Sequence, residues 1–283
     1  MTMPTSSPAD AAPLPAGAVA RTVERVRGEQ HERVRDALAA EVPVALLFNG
    51  IAHVVMMATP CDLEDLARGF ALSEGIVGAV AEIGVVTVTE RLTGFEVALA
   101  VPAARAAALP AGGRALEARS GCGLCGVRTL EDAIRQPPAV GAGPRIEERA
   151  LHRALAAIGA RQAINRVSGA THAAGWAHAD GEIVCVREDV GRHNALDKLI
   201  GALAVHGFDP ATGFLLLTSR ASYEMVVKAA MAGISVLAAM SAPTALAVSL
   251  AQSAGLTLIA FARRDGHVIY TRPQRLVAGG VPA

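Results

Sequence analysis

The chain has 283 residues, with Lys plus Arg and Asp plus Glu both at 26, so no global field points to nucleic acid or an anionic membrane. Four cysteines are too few to staple a secreted scaffold of this length, which places the expected setting in a reducing cytoplasm. The length permits one large or two modest domains.

In chain order, residues 1–20 are Ala-, Pro- and Ser-rich, with no cationic start and no long apolar block. They read as a disordered tail and not as a signal peptide. Alternation around Thr22, Val23, Glu24, Arg25, Val26 and Arg27 suits a solvent-facing strand within 21–36. Two apolar runs, Val42 to Phe48 and Ile51 to Ala58, flank Asn49-Gly50, a strong hairpin signal. Asp62 followed by Leu63, Leu66, Ala67, Phe70 and Ala71 predicts a capped amphipathic helix ending at Gly75. A second hairpin is predicted from Ile83 to Val101, turning at Thr93-Gly94. Residues 21–113 thus form a β-rich subdomain.

Ala and Pro thicken on both sides of Arg119–Ala133, where Cys122 and Cys125 stand in a C-x-x-C spacing among glycines, with Arg119 and Arg128 nearby. Two intervening residues let both sulfurs meet on one turn, and cationic neighbours favour thiolate. Glycines remove bulk and permit positive φ, so residues 114–145 read as a mobile loop. The pair suits sulfur transfer or dithiol redox first, a soft metal second and a structural role third. Cys61 and Cys185 are isolated, so no second pair completes a structural zinc site, and the zinc-deaminase signature is missing.

Residues 146–278 alternate between helix and strand. Helices are predicted at 146–158, 194–203, 223–232 and 244–254, and strands at 182–186, 214–218, 234–239, 256–261 and 267–271. The alternation argues for a mainly parallel sheet covered on both faces, with ligands beyond the carboxyl ends of its strands. Residues 229–262 carry no charge, yet recurring Ser and Thr with Pro243 and Gly255 favour buried strand, helix and strand over a membrane span.

Three turns gather polar chemistry. Ser219, Arg220, Ser222 and Tyr223 lie where a buried strand enters a helix; they suit phosphate binding or an ordinary N-cap equally. Glu188 to Asn194 is denser in polarity and includes Arg192 and His193, whereas Asp197 and Lys198 read as lining an exposed helix face. Phe261, Ala262, Arg263, Arg264, Asp265 and Gly266 end an apolar strand as a phosphate clamp or a solvated turn. His172, among small residues, reads as structural more readily than as a ligand.

The ordered set S-G-C-G-L-C-G (120–126), T-H-A-A-G-W (171–176), E-D-V-G-R-H-N-A-L-D-K (188–198), the run from Ser219 to Gly233, S-A-P-T-A-L-A-V (241–248) and Y-T-R-P-Q-R-L (270–276) resembles the FdhD family of formate dehydrogenase accessory sulfurtransferases. The resemblance runs from about residue 20 to 276. It implies a sulfur carrier that takes sulfur from a cysteine desulfurase to the molybdenum or tungsten bis-molybdopterin guanine dinucleotide cofactor, bound as substrate, before that cofactor enters formate dehydrogenase. Cys122 matches the family's persulfide-bearing cysteine, Cys125 its partner, and Phe261 to Gly266 its guanine-dinucleotide segment. The interior of that segment, A-R-R-D, departs from the family pattern, which leaves individual contacts there open. The implied fold is α/β, a cytidine-deaminase-like three-layer core in the C-terminal half with an added β-rich part, and the implied assembly is a homodimer. Neither a tightly held protein metal nor a membrane or nucleic-acid partner is expected. Within the α/β half, helix N-termini with Ser219, Arg220, Ser222, Tyr223, Arg192 and His193 are expected to hold the cofactor's nucleotide ends. The competing readings are a non-catalytic chaperone of the cofactor and a dithiol oxidoreductase.

Overall fold

A computed structural model describes residues 13–109 and 136–278. Arg119, Cys122, Cys125 and Arg128 therefore lie outside the described residues.

The chain starts with a long ribbon. Strand β1 (Ala18–Arg27) pairs antiparallel with β2 (Gln30–Ala39) through a turn in which Gly28 takes φ 63°. Strand thus begins three residues inside the segment expected to be a tail, and the single expected strand is a hairpin. Next, β3 (Val42–Phe48) and β4 (Ile51–Ala58) form the hairpin predicted at Asn49-Gly50. Both turn residues have positive φ, at 49° and 82°, which matches the twist of the flanking strands.

Helix α1 (Leu63–Ser73) follows, burying Leu63, Leu66, Ala67 and Ala71 against Val44, Leu46, Phe48, Val97 and Leu99. Asp62 does not cap it as predicted: its backbone is left-handed (φ 51°) and its side chain accepts no cap bond. The second hairpin joins β5 (Val86–Arg91) to β6 (Gly94–Leu99), turning at Leu92-Thr93, one residue earlier than expected. Strand β6 pairs in parallel with β3, Leu46 beside Val97, giving the sheet order β4-β3-β6-β5. A short helix, α2 (Ala103–Ala107), closes this part.

The second half opens with β7 (Ile146–Glu147), α3 (Glu148–Ala157) and α4 (Ala163–Ser168). Its main sheet contains β8 (His172–His178), β9 (Ile183–Asp189), β10 (Gly213–Leu217), β11 (Val236–Ala239), β12 (Thr257–Arg263) and β13 (Gly266–Ile269). The order is β13-β12-β11-β10-β8-β9. Only β10–β11 and β11–β12 are parallel; β12–β13, β10–β8 and β8–β9 run antiparallel. The sheet is therefore mixed, not mainly parallel. The cause is β8, whose His-Ala-Ala-Gly-Trp-Ala-His sequence carries no β-branched residue to announce a strand.

Helices α5 (Arg192–His206), α6 (Tyr223–Met231) and α7 (Ala245–Ala254) cover one face, packing on Leu215, Leu217, Leu237 and Leu258. Helix α3 covers the other, on Phe214, Leu216, Val236 and Ile259. The two-residue β14 (Leu276–Val277) pairs with β7. The charge-free stretch is divided among α6, β11, α7 and β12; among the described residues no helix is long and apolar enough to cross a membrane.

A close helix contact joins the halves. Helices α1 and α5 touch backbone to backbone at Gly69 and Gly201, where an added Cβ would fall 1.7 Å from the Asp197 carbonyl oxygen and 2.0 Å from that of Asp65. Farther along, the end of the expected loop is anchored: the Val140 amide donates to the Ala254 carbonyl at 2.9 Å, and Arg275 donates to the carbonyls of Gly141 and Ala142. Residues 140–142 are thus docked on the α/β half.

Candidate functional site

The strand directions put the carboxyl ends of β9, β10, β11 and β12 at one edge of the sheet, beside the first residue of β8. Helices α5, α6 and α7 all begin there. Their free N–H groups and aligned dipoles make this rim attractive to anions.

Hydrogen bonds fix the rim's shape. The Thr218 amide donates to the Ala173 carbonyl at 3.1 Å, and the Ala173 amide donates to Thr218 Oγ1 at 2.8 Å, clamping β8 to the end of β10. The Ala221 amide donates to the Ala242 carbonyl, and the Thr244 amide to the Ala221 carbonyl, joining the entries of α6 and α7. Thr244 caps α7 in the ordinary way, its side chain accepting from the Ala247 amide at 3.3 Å. Ser222 does not cap α6. Its hydroxyl is buried, with the residue 6% exposed, and meets no hydrogen-bonding partner among the described residues. A hydroxyl left so is available to a ligand entering the rim.

Beside it, Arg192 and His193 open α5. Burial, then the charges of Arg192 and Lys228, pushes His193 down to about 3. Its Nε2 stands 3.8 Å from Glu224 Oε1, but the ring is neutral at physiological pH, so this is not an ion pair. His193 therefore offers a polar nitrogen to the rim, not a positive charge. His172, at the start of β8, is likewise held below its usual range by burial and by Arg192. The sequence favours a structural role for His172 over a ligand role without pointing to Arg192; the unannounced strand creates that juxtaposition.

Of the other expected site residues, Ser219 is buried and donates to the Arg220 carbonyl at 3.1 Å, Arg220 is exposed, and Tyr223 packs partly on the core. The segment Phe261 to Gly266 is split by its geometry. Phe261 sits at the rim with φ 49° and 46% exposure, its amide donating to the Ser241 carbonyl at 3.2 Å. Ala262 turns into the core on the α3 side, Arg263, Arg264 and Asp265 extend into an exposed turn, and Gly266 starts β13. The structure thus brings Arg192, His193, Ser219, Arg220, Ser222 and Tyr223 to two neighbouring helix entries but separates them from the two arginines of the β12–β13 turn.

The acidic residues of 188–198 and Lys198 make structural contacts. The Glu188 carboxylate accepts from the amides of Ile164 and Asn165 and from Thr171 Oγ1, capping α4. Asp197 and Lys198, expected on an exposed face, are buried at 2% and 0%. Lys198 Nζ lies 2.7 Å from Asp189 Oδ2 and donates to the carbonyls of Thr59 and Glu188; Lys228 Nζ donates to both Asp197 oxygens, Ser73 Oγ and Glu74. Helix α5 is enclosed because α1 covers the side that its periodicity left to solvent.

Two cysteines are described. Burial pushes Cys61 up to about 11 despite the neighbouring Lys198, and raises Cys185 as well, so both are thiols at neutral pH. Among the described residues no group of three or more His, Cys, Asp or Glu could hold a metal ion.

Comparison with known proteins places these features. Residues 39–277 match the model of the FdhD/NarQ family. Proteins named sulfur carrier protein FdhD are similar: one from Xanthomonas campestris pv. campestris is 56% identical over 274 residues, covering 96% of this chain and 98% of that protein. One from Bordetella bronchiseptica is 48% identical over 262 residues, covering 92% and 95%. The crystal structure of a candidate formate dehydrogenase accessory protein from Desulfotalea psychrophila shares the fold, with a TM-score of 0.71 at 20% identity over 94% of this chain and 100% of that one.

Proposed function

The chain belongs to the FdhD/NarQ family, and on that footing we propose that it is the sulfur carrier that formate dehydrogenase requires for activity. The observation that carries the reading is similarity along nearly the whole length to proteins named for that role, with the C-x-x-C at Cys122 and Cys125 in this chain.

In the proposed cycle the Cys122 thiolate attacks the outer sulfur of a cysteine desulfurase persulfide. The S–S bond of the desulfurase breaks, its cysteine leaves as thiolate, and Cys122 keeps the sulfane sulfur as a persulfide. Delivery goes to the molybdenum or tungsten bis-molybdopterin guanine dinucleotide cofactor, the substrate. If Cys125 attacks Cys122 Sγ, sulfide departs toward the metal and a Cys122–Cys125 disulfide remains, which a cellular dithiol must reduce.

The rim suits the other end of that substrate. Diphosphates and a guanine need amide donors, a hydroxyl and cations in one place. The entries to α5 and α6 provide Arg192, Arg220, the Ser222 hydroxyl, which has no partner among the described residues, and a neutral His193. Neither Cys61 nor Cys185 is a thiolate, and that also favours a carrier elsewhere in the chain. A strain lacking its own copy tests the reading: Cys122→Ala should leave formate dehydrogenase inactive, whereas a cofactor chaperone that moves no sulfur would restore it.

A further inference from the structure

Two histidines far apart in sequence meet on the face of the main sheet opposite to α5, α6 and α7. Helix α3 buries Ala150, Leu151, Ala154 and Leu155, which leaves His152 at the border of its apolar stripe. Strand β13 packs Ile269 against the same core, and His267, two residues earlier, shares that side of the strand. His152 Nε2 thereby comes to 3.1 Å from His267 Nδ1, with the ring centroids 5.3 Å apart and the planes tilted by 60°.

Among the described residues neither ring makes another hydrogen bond or an ion pair, and both histidines are only half-buried, within reach of an ion from solvent. A neutral hydrogen bond between them, one imidazole donating and the other accepting, contributes only about 1 kcal/mol. The separation fits a second use. Two nitrogens bound to one ion at about 2.0–2.1 Å stand about 2.9–3.4 Å apart, from a right-angled to a tetrahedral arrangement. The local charges suit a cation as well. Burial and His152 hold His267 below its usual range, so its ring is neutral at pH 7, and the Glu148 carboxylate, one turn before His152 on α3, opposes that shift by attracting positive charge.

We propose that His152 and His267 form a chelating site for one borderline divalent cation of the Zn²⁺ and Ni²⁺ kind, with water completing its shell. Imidazole nitrogen favours such ions over Mg²⁺ and Ca²⁺, which take oxygen ligands. In the chelate both facing nitrogens present lone pairs, and the ring protons sit on His152 Nδ1 and His267 Nε2, so two neutral rings bind without losing a proton. Two protein ligands make an open, exchangeable site, in keeping with the lack of any three-ligand group among the described residues. A bound ion joins α3 to β13 directly after the turn that carries Arg263, Arg264 and Asp265. The inference rests on neither the sulfur-transfer reading nor the nucleotide rim.

Ni²⁺ alone is the probe, added to the full chain carrying Cys122→Ser and Cys125→Ser so that the thiol pair takes no metal. Calorimetric titration should show one Ni²⁺ bound per chain, and excess Mg²⁺ should not displace it. His152→Gln and His267→Gln, added separately to that background, should each weaken binding by more than about tenfold and abolish the rise in melting temperature that Ni²⁺ otherwise gives. Anomalous diffraction from Ni²⁺-soaked crystals should place the ion between the two rings, and it decides alone if either variant fails to fold. No saturable binding, displacement by Mg²⁺, an affinity that neither histidine variant changes, or an ion found only elsewhere overturns the proposal.

Discussion

Lys198 Nζ and Asp189 Oδ2 lie 2.7 Å apart with neither side chain exposed to solvent, at the seam between the β-rich part and the α/β half. Asp189 also accepts the amides of Thr59 and Gly191 and the Asn194 side chain, so both ions are well satisfied. Removing one partner leaves a buried charge unmatched, which costs about 3–5 kcal/mol. Lys198→Met should lower unfolding stability by that amount in urea titrations; a loss below about 1 kcal/mol would show that the pair does not hold the seam.

A second seam contact is steric. Gly69→Ala would drive a methyl into the Asp197 carbonyl, a backbone atom of α5 that moves only if the helices separate. Overpacking of this kind costs about 1–3 kcal/mol, occasionally more. Gly207→Ala, at a position with open space but φ 68°, separates strain from crowding: it should cost only about 1 kcal/mol.

Stability should fall on mild acidification. His193 has a folded value near 3 against an ordinary value of 6.5, so the unfolded chain binds the extra proton between those values. Stability is complete above 6.5 and is lost as pH falls toward 3, by up to about 1.4 kcal/mol per pH unit for one proton. His172 and His267, also depressed, add to the same slope. Replacing His193 with Gln should flatten the pH 5–7 profile; an unchanged slope contradicts the assignment.

Ser222 separates binding from folding. Its hydroxyl meets no partner among the described residues, so Ser222→Ala should leave the melting temperature unchanged or slightly higher. If that hydroxyl meets a phosphate, GDP affinity should drop about tenfold, or about 1.4 kcal/mol, by calorimetry. Equal affinity in both proteins would remove Ser222 from the binding surface.

What was legible in the sequence was local. Asn49-Gly50 specifies its turn through positive φ, and the strand–helix alternation after residue 213 yields β10 to α7 nearly residue by residue. Pairing between distant segments leaves no such mark: the parallel β3–β6 contact and the antiparallel insertion of β8 appear only in three dimensions. Lys198 was misplaced for a related reason. The apolar stripe of α5 identifies the side on the sheet, but a second helix crossing at a glycine buries the polar side too. At the rim, the two helix entries were readable as strand-to-helix turns, whereas the division of Phe261 to Gly266 depends on a bulge between Ala260 and Arg263.

The central claim is that Cys122 carries sulfur. Intact-protein mass spectrometry after incubation with a cysteine desulfurase and cysteine, without added thiol, tests it most directly. The account predicts one added sulfur atom on the wild type, located on the Cys122 peptide and absent in Cys122→Ala. No added sulfur on the wild type, or the same gain in Cys122→Ala, contradicts it.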